Sequence, residues 1–192
     1  MEKIDRRQIQ SQKKLHNAYL AMIKEKNHQF TIQELCDLAD VTRPTFYRLF
    51  KDFQELRLDI HNTVLQELKN ALTIVEPKPL NEASYKEMTT NLNLFFEHVL
   101  SNKMVYETFI IIDPDALFIN QVKELIYVYV NEGFELSLAK DQIINVKESL
   151  IIAFLTGAHI ESIIFWIKEQ YETPLEEMVK YLIDLSINTV LK

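Results

Sequence analysis

Glycine and proline are scarce in this sequence, with two Gly and five Pro among 192 residues. Tight turns and hairpins depend on these residues, so their scarcity favours long helices joined by short loops. No alternating strand pattern of useful length is visible, and helical spacing of apolar residues recurs along the chain. We therefore expect an all-α fold of about nine helices, with Pro77 and Pro79 marking the one plausible linker.

Cysteine is almost absent, and the single Cys36 excludes an internal disulfide and a cysteine-based zinc site. Its neighbours are apolar, which favours a small core residue. His98, His159 and Glu161 are possible acid–base groups, but no metalloprotease motif, nucleophile elbow or phosphate-binding loop accompanies them. We expect a protein that is not an enzyme and has no cofactor or metal.

The first ten residues are charged and lack the apolar stretch of a signal peptide. The longest apolar stretch, residues 150–167, contains Thr156, His159, Glu161 and Ser162, and is expected to be too polar to span a membrane. Both observations favour a cytoplasmic protein.

Positive charge is in deficit, with a formal net charge of −7. The deficit is uneven. Residues 1–62 contain 11 Lys or Arg against 9 Asp or Glu, whereas the remainder contains 10 against 19. An acidic body carrying a slightly basic N-terminal end would present that end to a polyanion.

Residues 30–56 predict two short helices joined by a tight turn and followed by a third, the plan of a helix-turn-helix that binds DNA. Thr31 and Glu34 form a capping box for the first helix, and Asp40 ends that helix in the turn. Thr42 caps the second helix, and Asp52 with Glu55 opens the third.

The second short helix has two faces on a helical wheel. Phe46, Leu49 and Phe50 form an apolar face expected to pack on Leu35, Leu38 and Val41. The opposite face carries Pro44, Tyr47, Arg48 and Lys51, with Arg43 and Thr45 at its flanks. We expect Arg side chains and Thr45 to contact bases, and Tyr47, Lys51 and Thr31 of the preceding helix to contact phosphates. The alternative is an ordinary amphipathic helix with a solvated basic face.

The same stretch resembles the DNA-binding domain of the TetR family of bacterial transcriptional regulators. The resemblance lies in Phe30-Thr31-Ile32, Leu35, Ala39, Val41-Thr42, Thr45-Phe46-Tyr47, Phe50 and Leu56. It implies a helix-turn-helix DNA-binding domain at 1–56, a ligand-binding and dimerisation domain at 57–192, a homodimer and a palindromic double-stranded DNA operator. The DNA-binding residues it implies are Thr31, Thr42, Arg43, Pro44, Thr45, Tyr47, Arg48 and Lys51.

Two positions depart from the family pattern. Asp40 stands where Gly is usual, and Asp tolerates the left-handed conformation better than most residues. Phe53 stands where Lys is usual, which removes one expected phosphate contact. Operator affinity is then expected to be lower unless Lys51 and Arg57 compensate.

The C-terminal half resembles the Firmicutes-type subgroup of the family, which includes a coactivator of dihydroxyacetone kinase genes. The resemblance lies in residues 154–159, 166–167 and 173–177, and it implies a four-helix dimer interface. Gly157 would allow close helix approach there, or merely close packing within one chain. The expected interface residues are Phe154, Gly157, Ala158, Glu161, Phe165, Leu175, Met178 and Leu182.

The family resemblance also implies a pocket for an unknown, largely apolar effector. Its candidate lining residues are Phe95, His98, Tyr106, Phe109, Phe118, Tyr127 and His159, which at helical spacing could equally be plain core. The expected function is a ligand-responsive repressor. The alternative is a coactivator that works mainly through a protein partner and binds DNA weakly.

Overall fold

The computed structural model describes residues 6–26, 28–73, 85–137 and 146–190. These residues form nine α-helices and no strand, which confirms the predicted fold class. The linker predicted at Pro77 and Pro79 lies outside the described residues. A π-helical segment, Glu107–Ile112, separates α6 from α7. The helices are α1 Arg6–Lys26, α2 Ile32–Ala39, α3 Arg43–Leu49, α4 Phe53–Ala71, α5 Tyr85–Ser101, α6 Lys103–Tyr106, α7 Ala116–Ser137, α8 Glu148–Lys168 and α9 Leu175–Val190.

The chain divides into two compact units. The first comprises Met1–Val64 and Met104–Asp115, and the second comprises Leu65–Lys103 and Ala116–Lys192. The predicted division into residues 1–56 and 57–192 stays a prediction about function. Compactness alone groups residues 57–64 and the segment Met104–Asp115 with the first unit.

An aromatic cluster forms the core of the first unit. The Phe53 ring lies 5.1 Å from that of Phe30, 5.9 Å from that of Tyr19 and 6.4 Å from that of Phe46, between centroids. Edge-to-face and tilted pairs of this kind add roughly 0.5–1.5 kcal/mol each beyond the area they bury. The cluster fixes α1, α3 and the start of α4 against one another.

In the second unit, α5 packs on α9 and α7 packs on α8. The rings of Phe96 and Trp166 meet edge to face at 5.4 Å, and the ring of Phe95 lies 5.8 Å from that of His159. The indole nitrogen of Trp166 donates a hydrogen bond of 2.7 Å to the carbonyl of Thr173. The largest side chain of the core is thereby buried with its polar group satisfied.

Helix α8 is apolar on both sides. By length and composition it is apolar enough to cross a membrane, as core helices of soluble proteins can also be. The expectation that its polar residues exclude a membrane span stays a prediction. One side, which includes Ile152 and Ile163, is buried in the second unit. The other side exposes Phe154 and Phe165, each about half accessible. A helix with apolar residues all round normally has cover on both sides.

We predict that His98 makes the fold sensitive to mild acid. Burial lowers the pKa of His98 to about 4, and nearby Glu67 opposes the shift. The unfolded chain takes up a proton below the ordinary pKa of 6.5, while the folded chain does not. The contribution of neutral His98 to the free energy of unfolding is therefore fully present above pH 6.5 and is lost as the pH falls towards 4, by roughly 3 kcal/mol in total.

The measurement is urea unfolding of the wild type and His98→Asn at pH 7 and pH 4.5. Each protein is compared with its own value at pH 7, which removes the packing loss of the substitution itself. The variant should lose less stability on acidification than the wild type. An identical loss in the two proteins would contradict the prediction.

Candidate nucleic-acid interface

Helix α2 begins at a complete capping box. The hydroxyl of Thr31 accepts from the Glu34 backbone N–H at 3.2 Å, and a Glu34 carboxylate oxygen accepts from the Thr31 N–H at 2.7 Å. The same hydroxyl donates to Glu34 at 3.0 Å. The predicted cap is confirmed, but the hydroxyl hydrogen of Thr31 is already used in the bond to Glu34. Thr31 can therefore donate to a phosphate only by giving up its bond to Glu34.

The turn between α2 and α3 is left-handed at Asp40, with φ 50° and ψ 52°. A side chain costs energy in this conformation, and Asp is among the residues that tolerate it best. The Asp40 carboxylate also lies 2.9 Å from the Lys14 ammonium of α1. Both groups are exposed, so this pair orients the turn more than it stabilises the fold.

Helix α3 begins at Thr42, whose hydroxyl accepts from the Thr45 backbone N–H at 3.4 Å. The hydroxyls of Thr42 and Thr45 also lie 3.0 Å apart. One of the two hydroxyl hydrogens is used in that bond, and the other remains for an outside acceptor. Pro44 lies in the first turn, where no backbone N–H is needed.

The two predicted faces of α3 are present. Phe46 and Phe50 are buried in the first unit. Leu38, which was expected to pack against them from α2, is instead 56% exposed, because it lies on the outer side of α2. The outer face of α3 consists of exposed Arg43, Pro44, Tyr47 and Arg48 with half-buried Thr45, and exposed Lys51 follows the helix.

Arg43 and Tyr47 are ordered relative to each other on this outer face. The guanidinium carbon of Arg43 lies 5.8 Å from the centre of the Tyr47 ring, within the range of a cation–π contact. The Tyr47 ring in turn meets the buried Phe46 ring edge to face at 5.4 Å. The core thus restricts a Tyr and an Arg that both point outwards.

The start of α4 is occupied by its own acidic residues. The Asp52 carboxylate accepts from the Glu55 backbone N–H at 2.9 Å, and the Glu55 carboxylate accepts from the Lys51 N–H at 2.6 Å. Phe53 turns into the aromatic cluster. A helix N-terminus of this kind has less to offer a phosphate, because a carboxylate already holds the Glu55 amide and the acidic charge at the helix start repels an anion.

The effector candidates are divided between the two units. Phe95, His98, Phe118 and His159 are buried in the second unit, whereas Tyr106 and Phe109 are buried in the first. Tyr127 is 45% exposed and is not part of this buried set, and its assignment to a pocket stays a prediction. It lies on the outer side of α7.

Tyr129, two residues beyond Tyr127, was missed by the sequence reasoning. Its ring lies 6.0 Å from that of His159, and burial raises the pKa of Tyr129 to about 12. Helical spacing alone could not decide which of two tyrosines so close in sequence points inwards.

The interface candidates also divide. Phe154, Glu161 and Phe165 on α8 are exposed, and Gly157, Ala158 and Leu175 are half-buried. Met178 and Leu182 are buried in the chain's own core, so they are unavailable to a second chain. The outward residues of α9 that sequence reasoning missed are Tyr181 and Leu185, which are 49% and 66% exposed.

Comparisons with known proteins agree with this arrangement. Residues 86–188 match the family model TetR_C_8, described as a transcriptional regulator C-terminal region. This is more than half of the chain. No curated protein matches the sequence significantly.

Solved structures share the fold across nearly the whole chain. A TetR transcriptional regulator from Streptococcus agalactiae has 18% identity and a TM-score of 0.63, covering 95% of this chain and 96% of that one. The dihydroxyacetone kinase operon activator DhaS has 20% identity and a TM-score of 0.62, covering 94% and 96%. The fatty acid degradation regulator FadR from Bacillus halodurans has 14% identity and a TM-score of 0.63, covering 91% and 97%.

We predict that the left-handed turn tolerates only certain residues at position 40. Asp40→Ala should lower the melting temperature by about 2–4 °C, because an alanine in this conformation costs roughly 1 kcal/mol or more. Asp40→Gly and Asp40→Asn should not lower it. All three variants lose the Lys14 pair, so they separate backbone strain from charge. An alanine variant as stable as the asparagine variant would refute the assignment.

Proposed function

Because the chain belongs to the TetR family of transcriptional regulators, we propose that it is a ligand-responsive DNA-binding repressor. It acts as a homodimer on a palindromic operator, in the cytoplasm. Its family and its structural neighbours are transcriptional regulators rather than enzymes. The observation that carries the proposal is the division of α3 into a buried aromatic face and an exposed face of arginine, hydroxyl and tyrosine groups.

In this proposal α3 enters the major groove. Arg43 and Arg48 suit bidentate contacts with guanine, and Thr45 suits a base edge or a thymine methyl. Tyr47 and Lys51 suit phosphate contacts, which fix the position of the helix without reading sequence. Thr42 and Pro44 flank these groups. Thr31 contributes only if its hydroxyl gives up the bond to Glu34 and donates to a phosphate instead.

The homodimer is proposed from the outer side of α8. Phe154 and Phe165 lie eleven residues apart on one helix and are both about half exposed. Tyr181 and Leu185 form a matching exposed pair one turn apart on α9. A two-fold interface would place the same patch of each chain against its copy. Two reading helices related by this symmetry require two half-sites in inverted repeat.

The effector is proposed to be largely apolar and to bind within the second unit. Support comes from His159, which is buried between the rings of Phe95 and Tyr129. Its Nδ1 atom lies 2.8 Å from the carbonyl of Leu155. A few polar groups in an apolar surrounding are the usual make-up of a small-molecule site. The printed name of FadR, a fatty acid degradation regulator, agrees with an apolar ligand for that protein.

A second candidate function is coactivation through a protein partner with weak direct DNA binding. The carboxylates of Glu34, Asp52 and Glu55 accept from backbone N–H groups at the starts of α2 and α4, and their negative charge repels DNA phosphates. The neighbour DhaS is named as an operon activator. Capture of genomic fragments by the purified protein, followed by mobility shift at several salt concentrations, separates the two functions. Salt-sensitive specific binding supports the first, and its absence together with a stable protein partner supports the second.

We predict distinct effects for two neighbouring residues of α3. Arg48→Ala should weaken binding to the captured fragment about tenfold or more and leave binding to unrelated DNA nearly unchanged, because it removes a base contact. Tyr47→Phe should weaken both by similar factors, because it removes a phosphate contact. The measurement is a mobility shift with each DNA.

Lys180→Ala is the matched control, since it removes an exposed positive charge from α9. It should change neither affinity. Equal losses for Arg48→Ala and Tyr47→Phe on both DNAs would overturn the assigned roles.

We predict that the double substitution Phe154→Glu with Phe165→Glu gives monomers. Four carboxylates would face one another across the proposed interface, where their burial is costly. Sedimentation velocity at micromolar concentration measures the change. Leu117→Glu is the control, since Leu117 on α7 is 52% exposed, as Phe154 is. That variant should remain dimeric, and a dimeric double variant would remove α8 from the interface.

A further inference from the structure

Tyr129 of α7 and His159 of α8 lie next to each other inside the second unit, where α7 packs on α8. The centres of their rings are 6.0 Å apart, and the rings meet edge to face. The ring of Phe95 from α5 lies 5.8 Å from that of His159. On α8, the buried side chains of Thr156 and Ile163 stand one turn to either side of His159. Two polar groups thus share surroundings that are mostly apolar.

The backbone determines which ring nitrogen of His159 carries a hydrogen. Nδ1 lies 2.8 Å from the carbonyl oxygen of Leu155, and a carbonyl oxygen can only accept, so Nδ1 is the donor. Burial lowers the pKa of His159, and the bond to Leu155 offsets only part of that shift, so the ring is neutral. A neutral imidazole carries one hydrogen. Nε2 therefore presents a lone pair and can only accept.

Nε2 of His159 and the hydroxyl of Tyr129 are both without a hydrogen-bond partner among the described residues. His159 is only 7% exposed. Burial raises the pKa of Tyr129 to about 12, so its hydroxyl keeps the hydrogen and can donate it. The hydroxyl of Thr156 gives its own hydrogen to the carbonyl of Ile152 at 2.7 Å. The place therefore offers one acceptor and one donor, and buried groups of this kind normally have partners.

The charges of the second unit restrict what such a partner can be. The unit contains no arginine. Among its described residues, no Asp, Glu or Lys is buried. Its described lysines are all exposed: Lys69, Lys103, Lys123, Lys147, Lys168 and Lys180. A buried anion or cation is costly without an opposite charge, so a group bound here is uncharged.

We propose that Tyr129 and His159 bind the polar group of the effector, and that this group is a hydroxyl on an apolar body, as in an alcohol or a phenol. The O–H of the ligand donates to Nε2 of His159, and its oxygen accepts from the hydroxyl of Tyr129. An ether or a ketone accepts from Tyr129 but has no hydrogen for His159. A carboxylate lacks that hydrogen and also a cation to pair with. This inference rests on the proposed function, since it assigns a chemical class to the proposed effector.

Isothermal titration calorimetry of the full-length protein at pH 7.5 tests the class with two matched series. The first is 1-octanol, octyl methyl ether and octanoate, and the second is 4-tert-butylphenol, 4-tert-butylanisole and 4-tert-butylbenzoate. At least one hydroxyl probe should bind, about tenfold or more tighter than its own ether and its own carboxylate, because each of these leaves a buried acceptor unpaired. Absence of binding by both hydroxyl probes would overturn the inference. So would an ether or a carboxylate that binds as tightly as its hydroxyl counterpart.

Two substitutions separate the roles of the donor and the acceptor. Tyr129→Phe should weaken the bound alcohol and its ether alike, by about fivefold, because both accept from the lost hydroxyl. His159→Phe should abolish the preference for the alcohol over the ether, since only the alcohol donates to Nε2. Tyr127→Phe is the matched control, because Tyr127 is 45% exposed and lies two residues earlier on α7. It should change neither affinity, and equal losses for Tyr127→Phe and Tyr129→Phe would refute the assignment.

Nitrogen-15 NMR of the wild-type protein gives a readout that needs no substitution at His159. The signal of an unprotonated ring nitrogen moves upfield when that nitrogen accepts a hydrogen bond. Adding the hydroxyl probe that binds should therefore shift the Nε2 signal of His159 upfield and leave Nδ1, which stays bonded to Leu155, nearly unchanged. An unchanged Nε2 signal at saturation would place the probe elsewhere and overturn the inference.

None of these measurements involves DNA, so this inference and the proposed function can fail separately. A protein that binds the alcohol as expected but captures no genomic fragment would overturn the proposed function and leave the ligand class standing. Specific DNA binding by a protein that prefers the carboxylate would leave the proposed function and overturn the ligand class.

Discussion

The ring of Phe53 stands at the first position of α4 and contacts the rings of Tyr19, Phe30 and Phe46. These rings come from α1, from the residue before the α2 cap, and from α3. The orientation of α3 therefore depends on this aromatic cluster together with the packing of α3 against α1 and α2. Because Phe46 is buried in this cluster and α3 has 3.6 residues per turn, Tyr47 and Arg43 must point outwards together. The packing of the core determines which groups are offered to DNA.

The same position shows a balance between packing and electrostatics. A lysine there could reach a phosphate, while phenylalanine adds several ring contacts worth roughly 0.5–1.5 kcal/mol each. Asp52 and Glu55 add to the change, since their carboxylates accept from the Glu55 and Lys51 backbone N–H groups and repel an anion at the helix start. The first unit thus gains internal stability at the place where it loses attraction for DNA. In the proposed complex, the contacts that recognise the DNA sequence therefore come mainly from α3.

Local sequence signals predicted the caps and the turn of the helix-turn-helix well. Thr31 with Glu34, Thr42 and Asp40 act through neighbours within four residues, so their roles are visible in the sequence. Asp113 was different, because its partner lies far away in the sequence. In the structure its carboxylate binds Arg57, 56 residues earlier in the chain. The helical spacing of residues gives no sign of a pair that is so far apart in the sequence.

Inward and outward assignments failed where a helix is apolar on several sides. Tyr127 and Tyr129 are two residues apart, and the pattern around them does not say which is buried. Met178 and Leu182 lie on an apolar stripe of α9 that fits a dimer interface as well as a protomer core. Only the position of α5, which packs on α9, decides between these alternatives.

Helix α8 is also apolar on several sides, and its exposed side bears on the proposed dimer. Its inner side is already used by α7 and α9 within the second unit. If its composition reflected only the protomer core, its outer side would be polar, as on most surface helices. Instead Leu150, Phe154 and Phe165 are all half exposed or more. Contiguous apolar surface of this kind is rare on monomeric proteins and usually marks an association site. The apolar outer side of α8 therefore supports the proposed dimer, in which the protomer core covers one side of the helix and a second chain covers the other.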